Sequence, residues 1–480
     1  MAKKEFVNPN NSVGHIEKND IRPIPLNERE GSPKSLTPMW IGSNTNYVVF
    51  LNGVLVVSLG LSFVESILAV LIGNLLGCAV LGMASIMGPR TGTSGIATSR
   101  APFGAAGAYI PIIVSTISVL GWFSINSIVA TEGLMELFKL SGLGDIPGLL
   151  WICLFAVLAL EIILALYGHA TILAAEKWLA IILAVVFIGM LFFAIPMMDW
   201  SWPNTVDVSL GTSKPGMWLV AMGIIFSYPI SWTNFASDYS RYLPPETSWK
   251  KIAVCAGGGQ FIALTFAEIV GVLFAVALGG SMDDPISQLA GVLPTWYLVP
   301  FLIVVMLGCV ATNVPNGYTA SLGLIAMRLP LDRVKSVFVI AACTLVFRIA
   351  TLLYGQFFEL YQSWLTYIII WSCPWVAIVV IDYFMRRGNY DGQSLMTWGS
   401  KGIYWYKGGI FWAGLIAWIA GVVISILFTN STLYVSPLVM NFLGGADISF
   451  EVGCISGGLI YWLLARNHPT FKEARNLTIE

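Results

Sequence analysis

The amino-acid sequence predicts an all-α membrane protein with twelve transmembrane helices. Its 480 residues are 57% hydrophobic and only 11% charged, whereas an average soluble domain has about 25% charged residues. The apolar residues come in blocks of about twenty, the length that a helix needs to cross a hydrocarbon layer of about 30 Å. Nearly all Lys and Arg residues fall in alternate connecting loops or in the tails. These three observations exclude an ordinary soluble enzyme.

Composition also argues against several functional classes. A net charge of −1 does not suit a nucleic-acid-binding protein, which needs clustered Lys and Arg against phosphate. The seven cysteines lie singly within apolar blocks, so we interpret them as small core residues. The three histidines, His15, His169 and His468, are far apart, which disfavours a metal centre or a histidine-based catalytic site. We therefore expect no enzyme and no bound cofactor.

The apolar stretches place the predicted spans in order along the chain. They cover residues 36–62, 64–87, 106–136, 147–167, 174–196, 216–239, 251–280, 295–326, 335–354, 359–385, 408–428 and 446–465. The predicted divisions are an N-terminal tail (1–35), a ten-helix core (36–385, with halves at about 36–196 and 216–385), a loop (386–407), two additional helices (408–465) and a C-terminal tail (466–480). The N-terminal tail lacks the apolar segment of a signal peptide, so we expect it to be a cytoplasmic tail.

The distribution of positive charge predicts the orientation. An even number of spans puts both termini on one side, and that side then holds 22 of the 25 Lys and Arg residues. Lys139, Lys214 and Arg348 are the remaining three. Because Lys and Arg accumulate in cytoplasmic loops, both termini are predicted to be cytoplasmic, with the protein in the inner (plasma) membrane. Acidic residues are found in two predicted outer loops: Asp199 and Asp207 in one, Asp283 and Asp284 in the other.

Two of the spans contain polar interruptions. Residues 40–46 (WIGSNTN) in the first span and residues 227–234 (SYPISWTN) in the sixth are rich in small and polar residues, and the second run contains a proline. Broken helices at corresponding positions of two five-helix halves indicate the central site of a transporter. A kinked helix with polar residues packed against its neighbours is the alternative interpretation.

Two other spans add polar side chains at membrane depth. The eighth span carries Thr312, Asn313 and Asn316, which are costly in lipid unless they are paired or functional. On the third span, Trp122 and Asn126 are four residues apart and share a helix face. Trp122 alone would suit ordinary core packing, but with Asn126 one turn away we favour a binding site.

The types of side chain indicate the kind of solute. Aromatic rings and neutral amides predominate among the candidates, which are Trp122, Phe226, Tyr228, Trp232, Asn46, Asn126, Asn313 and Asn316. Rings stack on flat ligands, and amides offer the paired donor and acceptor that a heterocycle presents. Arg348 is the only Lys or Arg in the central part of a span, so a neutral heterocycle is favoured.

Two kinds of coupling ion are compatible with the sequence. Thr45 and Thr312 supply hydroxyls that suit a sodium ion held by oxygen ligands. Glu161 and Glu268 lie in the middle of spans, where an acid is a candidate for proton coupling. A buried acid with a structural role is the alternative for both.

Several motifs, taken in order, carry a resemblance to a known family. They are residues 40–46, 69–77 (AVLIGNLLG), 100–104 (RAPFG), 121–123 (GWF), 237–242 (SDYSRY), 382–384 (DYF) with Arg386, and 402–404 (GIY). Over residues 36–465 the chain resembles the nucleobase:cation symporter family, which includes cytosine and purine permeases and a hydantoin transporter.

The resemblance implies a fold and a substrate site. The fold is leucine-transporter-like, with two inverted five-helix repeats, two C-terminal helices and alternating access. The substrate lies between aromatic side chains of the third and sixth helices. Trp122 takes the stacking role and Asn126 the amide role, Tyr228 is our choice for the sixth helix, and Asn46 matches a polar contact. Asn313 and Asn316 are near the asparagine contacts of the eighth helix.

The resemblance also implies a sodium site. Its carbonyl ligands match Gly42, Thr45 and Gly308, and its hydroxyl ligands match Ala311 and Thr312. Ala311 has no hydroxyl, so one ligand is missing, which strengthens the case for a proton. Sodium is the expected co-transported ion and the proton is the alternative.

The functional expectation is a secondary transporter that imports a neutral nucleobase or related heterocycle with a cation. We expect it to function as a monomer in the lipid bilayer. The alternative is a leucine-transporter-like symporter for another small solute, such as a vitamin precursor, hydantoin, allantoin or an amino-acid derivative. A membrane-embedded enzyme is disfavoured, because no His/Asp/Glu cluster or nucleophile motif recurs on one helix face. A passive channel is a further alternative.

Overall fold

Helices make up most of the chain in the computed structural model, which describes residues 21–166, 169–280, 285–354 and 357–475. The helices are α1 (Leu36–Asn44), α2 (Tyr47–Ser58), α3 (Phe63–Ala84), α4 (Met87–Thr91), α5 (Gly95–Thr98), α6 (Arg100–Phe103), α7 (Tyr109–Leu140), α8 (Leu149–Ala165), α9 (His169–Ala194), α10 (Lys214–Ser231), α11 (Ala236–Ser240), α12 (Trp249–Ala277), α13 (Pro285–Val292), α14 (Thr295–Ala326), α15 (Arg333–Tyr354), α16 (Phe357–Met385), α17 (Gly392–Met396), α18 (Trp412–Leu427), α19 (Pro437–Phe442), α20 (Ser449–Ala465) and α21 (Thr470–Arg475). The all-α prediction is confirmed.

Two of the predicted spans are interrupted. Two residues separate α1 from α2, and one of them, Asn46, has an extended backbone with φ −143° and ψ 169°. α10 ends at Ser231, and a turn over residues 232–235 leads into α11. Pro229 lies inside α10, so the helix continues past the proline before it ends. The structure therefore has interruptions in the two spans where the sequence predicts them.

The order of the long helices is the same in the two halves of the core. Each half begins with an interrupted pair, α1–α2 or α10–α11, and continues with one long helix, α3 or α12. The next long helix has 32 residues in both halves, α7 in the first and α14 in the second. Two further long helices complete each half. This correspondence is what a structural repeat of five helices predicts.

Buried acids tie the ends of helices to their neighbours. The Asp238 carboxylate of α11 accepts hydrogen bonds from the Gly95 backbone N–H of α5, at 2.7 Å, and from the Thr319 hydroxyl of α14, at 3.1 Å. In α16, Asp382 forms a buried ion pair with Arg386, with Nε and Oδ2 2.8 Å apart. The contacts of Asp238 hold α11 against α5 and α14.

The outer surface is apolar, as expected of a protein in a bilayer. On α3, Val64, Leu68 and Leu75 are 61%, 44% and 60% exposed and lie on one side of the helix. A soluble monomer rarely exposes a continuous apolar surface of this kind. Among the described residues, six helices are long and apolar enough to cross a membrane, and five shorter helices are also apolar. The chain is therefore a multi-pass helical membrane protein.

Some predicted features lie outside the described residues. They are the tail up to residue 20, which includes His15, and the acidic residues Asp283 and Asp284.

All seven cysteines are free thiols, and those that are buried are Cys78, Cys153, Cys309 and Cys373. The cysteines thus form no disulfide.

Glycines allow α2 and α12 to pack with their backbones in near contact. A Cβ added to Gly53 of α2 would lie 1.9 Å from the Glu268 carbonyl oxygen, and one added to Gly271 of α12 would lie 2.1 Å from that of Phe50. Both distances are far shorter than a van der Waals contact. The two glycines therefore set the spacing of these helices.

Gly271→Ala is expected to destabilise the protein, because the new methyl group pushes against backbone that has no room to move. Overpacking of this kind costs about 1–3 kcal/mol. Gly258→Ala on the same helix is the matched control, since a Cβ there meets nothing within 4 Å. Thermal unfolding in detergent measures both. Equal melting temperatures for the two variants would show that the α2–α12 spacing does not depend on Gly271.

Candidate functional site

Three aromatic rings meet beside the interruption of the first span. The Trp122 ring of α7 lies 5.0 Å from the Tyr228 ring of α10, measured between centroids, with an angle of 70° between their planes. The Tyr361 ring of α16 lies 6.1 Å from Trp122 at an angle of 77°. We refer to Trp122, Tyr228 and Tyr361 as the ring cluster. Edge-to-face contacts of this kind are favourable arrangements of aromatic rings.

Polar atoms without partners lie at the ring cluster. Asn126 donates a hydrogen bond from Nδ2 to the Trp122 carbonyl at 2.9 Å, but its Oδ1 has no partner among the described residues. The indole Nε1 of Trp122 is likewise buried without a partner there. A buried polar group without a hydrogen bond costs about 1–3 kcal/mol. The described part of the chain therefore leaves one donor and one acceptor near the ring cluster without a hydrogen bond.

Asn46 holds the interruption of the first span together. Its Oδ1 accepts a hydrogen bond from the Val49 backbone N–H at 3.1 Å and so caps α2. Its Nδ2 lies 3.3 Å from each of three oxygens: the Ser43 carbonyl, the Tyr228 hydroxyl and the Thr312 hydroxyl. The predicted substrate contact is thus also a junction between α1, α2, α10 and α14.

The two asparagines of α14 lie in a hydrogen-bonded row. Asn313 Nδ2 donates to the Phe123 carbonyl at 2.8 Å and to the Glu161 carboxylate at 2.8 Å. Asn316 Nδ2 donates to Asn313 Oδ1 at 3.0 Å. Because Asn313 bonds to both α7 and α8, its orientation is set by the protein. Asn316 is oriented in turn by its hydrogen bond to Asn313.

Glu161 belongs to a charged cluster beside this row. Its carboxylate accepts a hydrogen bond from the Ser127 hydroxyl at 2.6 Å and lies 3.8 Å from Arg348 Nη1. Arg348 Nη2 donates to the Thr131 hydroxyl at 2.7 Å. Both Glu161 and Arg348 are fully buried. The arginine that stood out in the sequence therefore has a counter-charge, and the pair is neutral as a unit.

Glu268 has a different environment. Its two oxygens accept hydrogen bonds from Asn52 Nδ2 of α2, at 3.2 Å, and from Asn74 Nδ2 of α3, at 2.5 Å. Tyr361 of the ring cluster donates its hydroxyl to Asn52 Oδ1 at 2.6 Å. Sequence reasoning missed Tyr361, Asn52 and Asn74. The two asparagines are polar residues within apolar spans, which is a signal that could have identified them.

Of the other two predicted aromatic residues, Phe226 is not brought to the ring cluster and Trp232 adjoins it. The Phe226 ring stacks on Phe450 of α20, with centroids 4.1 Å apart. Phe226 and Tyr228 are two residues apart, which is about 200° around a helix, so only one of them faces α7. Trp232 lies in the turn after α10, where its side chain forms a hydrogen bond with the Tyr228 hydroxyl and its ring is 5.7 Å from the Trp40 ring. Trp40 also lies 5.6 Å from Tyr239 of α11.

The predicted sodium ligands lie along α1 and α14. Gly42 is buried in the last turn of α1, and the Thr45 hydroxyl donates to the Ile41 carbonyl at 2.7 Å. The Thr312 hydroxyl donates to the Gly308 carbonyl at 2.9 Å. Asn46 joins Thr312 to the interruption. Ala311, between Gly308 and Thr312, presents a methyl group.

The ring cluster is closed in this structure. Non-bonded carbon atoms approach to about 3.5–4.0 Å, so a flat ligand between two ring faces needs about 7–8 Å. The centroids of Trp122 and Tyr228 are 5.0 Å apart. A flat ligand therefore has no room between these two rings in this structure.

Comparison of the sequence with known proteins gives a matching family and similar permeases. The sequence profile of a family described as permease for cytosine/purines, uracil, thiamine, allantoin matches residues 23–453. The "Putative purine-cytosine permease YxlA" of Bacillus subtilis is 29% identical over 95% of this chain and 97% of its own. The purine-cytosine permease fcyB of Emericella nidulans is 26% identical over 94% and 88%.

Solved structures show the same fold. The structure of Mhp1, a nucleobase-cation-symport-1 family transporter, in a closed conformation with bromovinylhydantoin bound, matches with a TM-score of 0.76 and 19% identity over 96% of this chain and all of that one. At this identity the likeness shows the fold, which is the leucine-transporter-like arrangement that the resemblance implied.

Glu161→Gln is expected to destabilise the protein, because it leaves the buried Arg348 without a counter-charge. Removing one partner of a buried ion pair costs about 3–5 kcal/mol. The double variant Glu161→Gln/Arg348→Gln should lose less than the sum of the two single variants, since it buries no unpaired charge. Unfolding in detergent gives the three free energies.

The matched control is the pair of Glu136 and Lys139, whose charged atoms are 2.9 Å apart and whose lysine is half exposed. Glu136→Gln should change the free energy of unfolding by no more than about 1 kcal/mol. Strictly additive losses at Glu161 and Arg348 would show that the two side chains do not stabilise each other.

Proposed function

Because the chain belongs to the family of permeases for cytosine, purines, uracil, thiamine and allantoin, we propose that it is a secondary transporter that imports a neutral nucleobase of the cytosine or purine type, or a related heterocycle, together with a cation. Import proceeds by alternating access. The names of its relatives in Bacillus subtilis and Emericella nidulans support this class of solute.

The observation that carries the proposal is a buried, unpartnered acceptor one helical turn from the Trp122 ring. Asn126 Oδ1 has no partner among the described residues, and Asn126 shares a face of α7 with Trp122. A nucleobase has a flat ring and an edge with both donors and acceptors, so it can stack on Trp122 while its edge donates to Asn126. Glu161 and Arg348 neutralise each other, which leaves a site without net charge and suits a neutral solute.

Binding requires that the ring cluster open. Tyr228 lies in α10, which ends in the second interruption, so a hinge at residues 232–235 allows the ring to move away from Trp122. On the side of α1 and α11, Trp40, Trp232 and Tyr239 pack edge to face. With the termini in the cytoplasm, this second aromatic group closes the cytoplasmic end of the path.

The arrangement in the membrane follows from the same proposal. Twelve crossings place both termini in the cytoplasm, and the protein lies in the inner (plasma) membrane. Residues 36–385 form the transport core of two repeats, about 36–196 and 216–385. The loop 386–407 joins the core to the two additional helices in 408–465, and residues 466–480 form a cytoplasmic tail. The unit of function is the monomer.

The coupling cation is either sodium or a proton. The sodium site would use Gly42, Thr45, Gly308 and Thr312, with hard oxygen ligands. Ala311 supplies no ligand, and the Gly308 carbonyl is already engaged by the Thr312 hydroxyl. Asn46 also directs the donor Nδ2 toward Thr312. These features weaken a sodium site and favour the proton.

Other solutes of the family are the alternative, since its description includes thiamine and allantoin. Purified protein in detergent distinguishes them by thermal shift, because a ligand raises the melting temperature according to its concentration relative to its dissociation constant. The informative panel contains cytosine, adenine, hypoxanthine, uracil, allantoin, a hydantoin and thiamine. A shift with thiamine alone would replace the nucleobase proposal with transport of a vitamin precursor.

Trp122→Ala is expected to lower the affinity for the transported base about 5- to 150-fold, since stacking of a base on an aromatic ring contributes about 1–3 kcal/mol. Asn126→Ala should cause a smaller loss, about two- to twelvefold, because a neutral hydrogen bond contributes about 0.5–1.5 kcal/mol. Uptake of labelled cytosine, purines and hydantoins by cells measures both.

Trp151→Ala is the matched control for Trp122→Ala. Trp151 lies on α8 and is 43% exposed on the outer surface, so its removal should leave uptake unchanged at equal amounts of protein in the membrane. If Trp122→Ala and Asn126→Ala cells accumulate the labelled compounds as well as the wild type, the ring cluster is not the substrate site.

A further inference from the structure

Glu268 is a buried acid without a counter-charge among the described residues. It is fully buried on α12, and its carboxylate accepts hydrogen bonds from the amides of Asn52 and Asn74. Among the described side chains that pack against α12, residues 36–58 of α1 and α2 and residues 181–194 of α9 include no charged group. The charged groups on the other packed elements are Glu65, which caps the start of α3 with Ser62, and the exposed Lys34. Glu161, by contrast, has Arg348.

Other titratable groups near Glu268 come from three helices. They are the thiol of Cys78 from α3, the hydroxyl of Tyr228 from α10 and the hydroxyl of Tyr361 from α16. None of these is a cation, so none neutralises a carboxylate. A buried acid in such surroundings must take up a proton or another cation during the transport cycle.

A chain of hydrogen bonds connects Glu268 to the ring cluster. The Tyr361 hydroxyl donates to Asn52 Oδ1 at 2.6 Å, which fixes the Asn52 amide with Nδ2 toward Glu268 Oε1, at 3.2 Å. The ring of the same tyrosine touches Trp122. Two hydrogen bonds and one ring contact therefore connect Glu268 to Trp122, the ring on which the substrate is proposed to stack.

The Asn74 amide can rotate to accept a hydrogen bond from protonated Glu268. Its Nδ2 donates to Glu268 Oε2 at 2.5 Å, whereas its Oδ1 is buried and has no partner among the described residues. A half-turn of the amide exchanges these two atoms. Protonated Oε2 can then donate to Asn74 Oδ1, which satisfies the acceptor that is unpartnered here.

Resting on the transport function proposed above, we propose that Glu268 is the binding site of a co-transported proton and that its protonation loosens the ring cluster through Asn52 and Tyr361. A hydrogen bond to a carboxylate is stronger than one to a neutral acid. Protonation at Oε2 therefore weakens the hydrogen bond between Oε1 and the Asn52 amide. The hydrogen bond between Asn52 and the Tyr361 hydroxyl weakens with it. The Tyr361 ring is then held less firmly against Trp122, which assists the separation of Trp122 from Tyr228 that admits the base.

The proton and the base bind cooperatively in this scheme. Glu268 takes one proton from water on the outer side and returns it to water on the cytoplasmic side after the base has left. Because the base is neutral, one positive charge crosses the membrane per cycle. Acid outside therefore drives accumulation of the base inside, and binding of the base tightens as the pH falls.

Glu268→Gln tests the site, because glutamine is isosteric with the protonated acid and cannot release a proton. Wild-type protein in sodium-free proteoliposomes is expected to accumulate labelled cytosine or hypoxanthine when the outside is acidic. Glu268→Gln should still exchange the labelled base in counterflow at near wild-type rate, but should lose accumulation driven by the pH gradient. Its affinity should be independent of pH and equal to the acid limit of the wild type.

Two further variants separate coupling from a general defect. Tyr361→Phe keeps the ring and removes the hydroxyl, so it should retain binding while the dependence of affinity on pH decreases. Glu451→Gln, another Glu-to-Gln change in a helix of the bundle, should behave as the wild type. If the Glu268→Gln protein is not monodisperse in detergent, Tyr361→Phe becomes the variant that decides the test.

The outcomes distinguish this inference from the transport proposal. If the wild type exchanges none of the bases in counterflow, the proposed function fails. If it exchanges a base but accumulates it only with a sodium gradient, or if Glu268→Gln still accumulates it with a pH gradient, Glu268 is not the proton site and the transport proposal stands.

Discussion

The need to satisfy backbone polar groups inside a membrane is the constraint on which this structure depends. Where α1 ends and α2 begins, N–H and C=O groups have no partner within a helix, and no water is available in a hydrocarbon layer. Asn46 meets this need with one amide, whose Oδ1 caps α2 and whose Nδ2 reaches Ser43, Tyr228 and Thr312. The interruption and the ring cluster are therefore parts of one hydrogen-bonded unit.

The interruptions could be predicted from the sequence because polar and proline residues are rare in spans and stand out against an apolar background. The partners of each polar side chain could not be predicted. Asn313 was expected to contact substrate, but its amide is held by Phe123 and Glu161, and this depends on how α7, α8 and α14 pack. Rotation of a helix by one residue changes which side chain faces the centre, so the choice between Phe226 and Tyr228 also required the structure.

Two buried acids in the same bundle illustrate how neighbours determine a role. Glu161 is compensated by Arg348 and by the Ser127 hydroxyl, so its charge can persist without a bound ion, and it orients Asn313. Glu268 accepts hydrogen bonds from the neutral amides of Asn52 and Asn74. The sequence placed both acids in mid-span and could not distinguish them, because the arginine that pairs with Glu161 is 187 positions further along the chain.

The closed ring cluster connects these features to alternating access. Trp122 and Tyr228 belong to helices of different halves, and their edge-to-face contact holds the halves together at the centre. Under the proposed function, a ligand stacked on Trp122 would replace that contact and satisfy Asn126 Oδ1, so it would stabilise a separated arrangement that is unfavourable without it. The proposed hinge at residues 232–235 and the amide of Asn46 both adjoin Tyr228, the side chain that would move. Specificity for a flat ligand would then follow from the geometry, because only a ring thin enough to stack on Trp122 replaces the lost contact without leaving a void.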